Sequence, residues 1–206
     1  MDFSSILNQV LDSVKDTMGK NDTAGKITKA GGGAVVIGVL SMILGRNGGS
    51  SLAKMGSIAV LGNLAYQAYQ KYQQNQASVA QKQELPQEQF ASAAQTVESG
   101  TVILRAMIAA ALSDGELDEQ EKQAILNEAG NDSELQQWLV QETQKPASIA
   151  QQVAGDQALA VQVYLAVRLV CGAELSRKEI VFLAQLADAL KLNEQLVEQL
   201  EKQAGF

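Results

Sequence analysis

The stretch ALAVQVYLAVRLVC, residues 158–171, carries a single charge, on Arg168, among residues that are nearly all apolar. Its length and composition predict one long apolar helix. The chain's lone cysteine, Cys171, ends this stretch, and a thiol in such a pattern is expected to be a buried structural residue. A single cysteine also excludes a disulfide within the chain.

The segments on either side of this stretch also predict helices. An apolar helix runs from Val97 to Leu112 and is expected to end before Asp114-Gly115. Signals for helix starts, including two capping boxes, follow along the chain at Asp118, Ser133, Pro146, Ser176 and Asn193. No segment shows sustained alternation of apolar and polar residues, so we expect no sheet and an all-α fold.

Charge divides the chain into two different halves. Residues 1–82 carry eight Lys and Arg against four Asp, a net charge of +4, whereas residues 83–206 carry a net charge of −11. The acidic half argues against nucleic acid as a partner, because phosphate binding depends on clustered Lys and Arg. The basic half suits an anionic membrane surface.

The basic half contains two uncharged, apolar runs, AGGGAVVIGVLSMILG at 30–45 and MGSIAVLGNLAYQAYQ at 55–70. The intervening Asn47-Gly48-Gly49 is typical of a turn, so the two runs predict a Gly-rich hydrophobic helical hairpin. Sixteen helical residues rise about 24 Å, and flanking Lys29 and Arg46 can extend the reach to lipid headgroups. Closely spaced glycines are tolerated in a helix within a bilayer, because a non-helical backbone there would leave N–H and C=O groups without hydrogen bonds.

The second run places Gly62, Ala65, Tyr69 and Tyr72 on one helix face, an arrangement that allows close helix packing in membranes. Tyr66, Tyr69 and Tyr72 near Lys71 are typical of an aromatic anchor at the interface. We therefore favour a membrane region here. The alternative is a Gly-rich hairpin that folds against the rest of the chain, or a disordered segment.

Four regions follow from these patterns. The predicted order is an amphipathic N-terminal segment (1–29), a Gly-rich hydrophobic membrane region (30–72), a Gln-rich linker (73–95) and an acidic helical domain (96–206). The N-terminal segment lacks a basic start and a cleavage site, so we expect no cleavable signal peptide.

Catalytic signatures are missing from the sequence. The chain has no histidine, which removes the commonest general base and a common metal ligand. The glycines at 31–33 are not followed by the Lys-Ser/Thr pair of a phosphate-binding loop and follow no predicted strand. We therefore expect no enzymatic activity and no cofactor other than Ca²⁺ or Mg²⁺, for which one acidic stretch is a candidate.

One polar constellation stands out, SDGELDEQE at residues 113–121. Asp114, Glu116, Asp118 and Glu121 supply carboxylates at a density that suits Ca²⁺ or Mg²⁺. The glycine spacing excludes an EF-hand loop. The alternative is a helix junction in which Gly115 turns the chain and the acids favour the start of the next helix.

The stretch RAMIAAALSDGELDEQEKQAI, residues 105–125, resembles the repeat signature of the tellurite-resistance TerB-like superfamily. The order of basic start, Gly-rich region, Gln-rich linker and acidic helical domain further resembles the YebE-type bacterial inner-membrane branch. This resemblance implies a TerB-like helical bundle at the C-terminal end and a metal site at Asp114, Asp118 and Glu121. The second half of the family pattern lacks its turn aspartates, leaving only Glu174 and Glu179 as further ligands.

These observations favour a membrane-anchored, non-enzymatic interaction or stress-associated protein of the bacterial inner membrane. Its expected partners are the lipid bilayer, further copies through the Gly-rich helices, and a protein that the sequence does not identify. The acidic domain would face the cytoplasm, since four lysines lie between residues 15 and 29. The alternative is a soluble module that binds divalent cations and self-associates through its Gly-rich segment.

Overall fold

A computed structural model describes residues 57–75, 85–113 and 145–206, together with Gln9. Within these residues 81% are helical and no strand is present, which confirms the all-α prediction. The described helices are α1 (Ile58–Asn75), α2 (Gln87–Ala93), α3 (Val97–Ser113), α4 (Pro146–Val153), α5 (Gln157–Cys171), α6 (Arg177–Ala189) and α7 (Glu194–Ala204).

Helix α5 lies at the centre of the fold. Every residue from Ala158 to Cys171 is buried, and α5 contacts each of the other six described helices. Its most extensive contact is with α3, in which Val102–Leu104 and Ala106–Ala110 are likewise buried. Cys171 is 1% exposed, as expected for a structural thiol. The apolar stretch therefore forms the core around which the bundle assembles.

Side-chain caps fix where the helices around α5 begin. Ser176 and Glu179 form the predicted capping box at the start of α6, with both reciprocal hydrogen bonds present. Asn193 caps α7, and Pro146 occupies the first turn of α4, as the sequence predicts. The cap of α5 is Asp156, whose carboxylate accepts a hydrogen bond from the Leu159 amide at 3.0 Å.

Helix α1 corresponds to most of the second apolar run. The residues on its buried face are Ile58, Leu61, Gly62, Ala65, Ala68 and Tyr69. This face packs against α7, α2 and α5, so other helices of the same chain cover it. The small residues do permit close helix approach, but here within the bundle. Tyr69 is 3% exposed and lies in the core, which differs from the interfacial anchor expected for it.

Helix α2 lies inside the range predicted as a Gln-rich linker. Its Phe90 is 1% exposed and packs between the rings of Tyr66 and Tyr69, with centroid separations of 5.6 and 5.5 Å. One aromatic residue thus gives a polar, seven-residue helix a place in the core. Several predicted elements lie outside the described residues. They are the amphipathic N-terminal segment apart from Gln9, the first apolar run at 30–45, and the helices expected to start at Asp118 and Ser133.

Candidate functional site

The residues proposed as metal ligands fall into two groups. Asp114, Asp118 and Glu121 lie outside the described residues. Glu174 is exposed, whereas Glu179 is 2% exposed and its Oε2 accepts a hydrogen bond from the Ser176 amide at 2.8 Å. Glu179 therefore serves the start of α6. Among the described residues, no three His, Cys, Asp or Glu side chains come close enough to hold a metal ion.

A buried polar cluster joins α5 to α7 around the guanidinium group of Arg168. Arg168 is 4% exposed, and its Nε lies 3.1 Å from Oε1 of Glu201. The Tyr164 hydroxyl donates to the same oxygen at 3.0 Å. A second guanidinium nitrogen donates to the Gly172 carbonyl, and the Phe206 ring centroid lies 3.7 Å from the guanidinium carbon. We call these five residues the Arg168 cluster.

The Arg168 cluster keeps the Tyr164 hydroxyl neutral beside the ion pair of Arg168 and Glu201. Burial raises the pKa of the Tyr164 hydroxyl well above its usual value, and the neighbouring Glu201 carboxylate raises that pKa further. Tyr164 is therefore a hydrogen-bond donor at physiological pH. The charge of Arg168 is balanced by Glu201, whose side chain is 32% exposed. The arrangement holds two helices together and presents no activated nucleophile.

The Arg168 cluster was missed by the sequence reasoning, although a signal existed. Tyr164 and Arg168 are four residues apart, and thus share one face of an otherwise apolar helix. A charge within such a helix needs a partner, because an unpaired buried charge is strongly unfavourable. The partner, Glu201, is 33 residues away from Arg168 in sequence, and no local pattern identifies it.

A second buried polar contact lies where α1, α2 and α5 meet. Gln162 is fully buried, and its Nε2 donates to the carbonyl oxygen of Phe90 at 2.8 Å. Its Oε1 has no hydrogen-bond partner in the described part of the chain. A Cβ atom at Gly62 would lie 2.9 Å from the same Phe90 carbonyl oxygen, so glycine is required there for close contact between α1 and α2.

Membrane-spanning potential is limited among the described helices. None of them taken singly has both the length and the hydropathy needed to cross a bilayer. Helices α2 and α3 reach those values only when taken together, and a bend of 76° separates them.

Comparison with known proteins places the chain in a family. The family model DUF533, described as "Protein of unknown function", matches residues 29–204. No curated protein matches the chain, and no solved structure does so either. The match extends from the Gly-rich region to the end of α7. The chain therefore belongs to the DUF533 family, which is related to the TerB-like family.

Proposed function

We propose that the chain is a non-enzymatic, membrane-anchored protein of the bacterial inner membrane that presents its acidic helical bundle to the cytoplasm. In this proposal the residues around 27–48 contact the bilayer, and the bundle that begins at α1 is available to a protein partner. The proposal assigns the chain to the YebE-type branch of inner-membrane proteins, because the layout of its regions resembles theirs.

The observation that carries the proposal is the position of α1. This helix begins at Ile58, about ten residues after the 27–48 segment, and its apolar face packs in the bundle core. A membrane segment before α1 would thus be joined to the bundle through a helix of the core. The Gln-rich stretch after α1 leads to α2, whose Phe90 packs on α1, so it connects two parts of one core. Such a connection would hold the bundle close to the bilayer surface.

Charge supports the same orientation. The first 82 residues carry the net charge of +4, and the rest of the chain carries −11. Basic segments next to a bilayer are attracted to anionic lipids at about 1 kcal/mol for each Lys or Arg near the surface. The acidic bundle would be repelled from that surface and remain exposed to the aqueous side.

The non-enzymatic part of the proposal rests on the residues available for chemistry. The chain has no histidine, and its one cysteine is buried. The buried Tyr164 and Arg168 both donate hydrogen bonds to the partly exposed Glu201. A cation site at Asp114, Asp118 and Glu121 stays a prediction from the family resemblance. Glu179 gives it no support, because its carboxylate is already bound to the Ser176 amide.

Extraction of washed bacterial membranes with alkaline carbonate tests the anchoring. The unmodified chain should stay with the membranes. Replacing Val36 and Leu40 by Asp places two charges on one face of the predicted span, and each charge near the bilayer centre costs roughly 2.5–3.5 kcal/mol. We expect this variant to be found largely in the supernatant.

The matched control is the variant with Val60→Asp and Val97→Asp. It adds the same charge at apolar residues that are 39% and 47% exposed in the bundle, and it should stay in the membrane fraction. Release of the unmodified chain, or equal behaviour of both double variants, would refute the anchoring. Protease treatment of intact spheroplasts should leave an epitope at the C-terminal end uncut if the bundle faces the cytoplasm.

A further inference from the structure

Helix α6 has apolar residues on two faces, of which only one is covered. Phe182, Leu183 and Leu186 are buried against the bundle. On the other face Ile180 is 52% exposed and Val181 is 50% exposed. They are the most exposed large apolar residues that the structure describes, and they are adjacent. An exposed apolar pair of this kind is typical of an interaction surface.

The exposed face of α6 has a charge at each end. Arg177, Val181, Ala184 and Asp188 are all exposed and follow one another at intervals of four, three and four residues. These intervals place all four on one stripe of the helix, and the end residues are about 16 Å apart. The stripe therefore consists of a positive end, an apolar centre with a small residue, and a negative end. We call it the α6 stripe.

We propose that the α6 stripe is a docking surface for a second copy of this chain, with the two α6 helices antiparallel. A two-fold axis between positions 182 and 183 would bring Val181 opposite Ala184 of the second copy. The same axis would bring Arg177 of each copy opposite Asp188 of the other copy. Ile180 would lie beside this seam and add apolar area at its centre.

Charge complementarity favours a second copy over other partners. Neither Arg177 nor Asp188 forms an ion pair within the described ranges. An isologous contact uses the same surface twice, and the order of charges along the α6 stripe is self-complementary. An anionic lipid surface or an acidic protein would repel Asp188. A basic partner would repel Arg177 in the same way.

The size of the surface predicts weak association. One helix face on each side buries less than the roughly 1,200 Å² typical of stable complexes. We therefore expect a dissociation constant on the order of 100 µM for the full chain. The inference does not depend on membrane anchoring, although confinement to a bilayer would raise the effective concentration and favour the pair.

Charge reversal in the full chain tests the pairing. We would follow dimer formation in mild detergent by sedimentation equilibrium over a concentration series. Arg177→Asp places like charges opposite each other at both ends, and so does Asp188→Arg. Each variant alone should self-associate about tenfold more weakly than the unmodified chain. Both changes suit the helix dipole, so α6 itself should be retained.

Restoration of pairing is the decisive measurement. A mixture of the Arg177→Asp and Asp188→Arg chains can form two attractive pairs and should associate as strongly as the unmodified chain. The double variant should also regain self-association. A monomeric unmodified chain, single variants that associate as strongly as the unmodified chain, or no recovery in the mixture would overturn the proposal. Self-association through the Gly-rich segment alone would appear as equal behaviour of all variants.

Discussion

Removal of the Glu201 side chain should destabilise the bundle more than removal of its partner, Arg168. Glu201→Ala eliminates two hydrogen bonds, at 3.1 Å from Arg168 and 3.0 Å from Tyr164. Each is worth about 1–1.5 kcal/mol net, and the remaining guanidinium is left buried without its counter-charge. Because Glu201 is 32% exposed, water can reach part of the site and reduce the loss. We expect the free energy of unfolding to fall by about 2–3 kcal/mol.

Arg168→Met is the matched variant on the other side of the pair. It replaces a buried charge by an apolar side chain that can fill a similar volume. The Glu201 carboxylate keeps its bond from Tyr164 and its contact with solvent, so no buried charge is left unpaired. Lost contacts with the Gly172 carbonyl and the Phe206 ring limit the benefit. We expect a loss of about 1 kcal/mol or less.

Urea unfolding of the full chain, followed by far-ultraviolet circular dichroism, measures both values. The variant with both substitutions should lose less than the sum of the single losses, because the two residues contact each other directly. If Arg168→Met destabilised the chain as much as Glu201→Ala, the interpretation of this pair would be refuted. Additive losses would equally show that the two groups do not interact.

Three further changes have calculable effects. The pKa of Tyr164 in the folded chain lies above the unfolded value of about 10. Its contribution to the free energy of unfolding is therefore fully present below about pH 10 and is lost as the pH rises above that value. Tyr164→Phe should flatten this fall in urea titrations at alkaline pH, and an unchanged slope would contradict the assignment. Ser176→Ala should cost about 1 kcal/mol in thermal unfolding, with Ser176→Asp recovering most of it, whereas equal losses would argue against capping. Phe90→Ala should cost about 3 kcal/mol in denaturant unfolding and Phe90→Leu clearly less; a loss under about 1 kcal/mol would show that α2 is dispensable.

The helices that the sequence could predict are those with local signals. The Ser176–Glu179 capping box, the Asn193 cap and Pro146 each act within one helical turn, and the structure shows all three. The predicted end of helix α3 before Asp114 stays a prediction, because the residues that follow Ser113 lie outside the described part of the chain. Helix α2 was hidden because its glutamines are typical of a linker. Phe90 is the one buried residue of this helix.

The features that the sequence could not predict depend on contacts between distant residues. The two apolar runs favoured a membrane hairpin, because composition does not distinguish a face covered by lipid from one covered by protein. The packing of Tyr69 on Phe90 shows that protein covers this face of α1. No periodicity in the sequence indicates that contact. The candidate ligands Glu174 and Glu179 carry the right chemistry, but Glu179 is bound within its own helix.

The pairing of α1 with α7 has a consequence for how the chain is made. Lys71 on α1 donates a hydrogen bond to Gln203 on α7, which is 132 residues later. During synthesis, the part of the α1 face that packs against α7 therefore stays uncovered until α7 has left the ribosome. Contacts of such separation slow folding, and the uncovered face is prone to aggregation in the meantime. Early insertion of the preceding Gly-rich segment into a bilayer would keep neighbouring nascent chains apart during that interval.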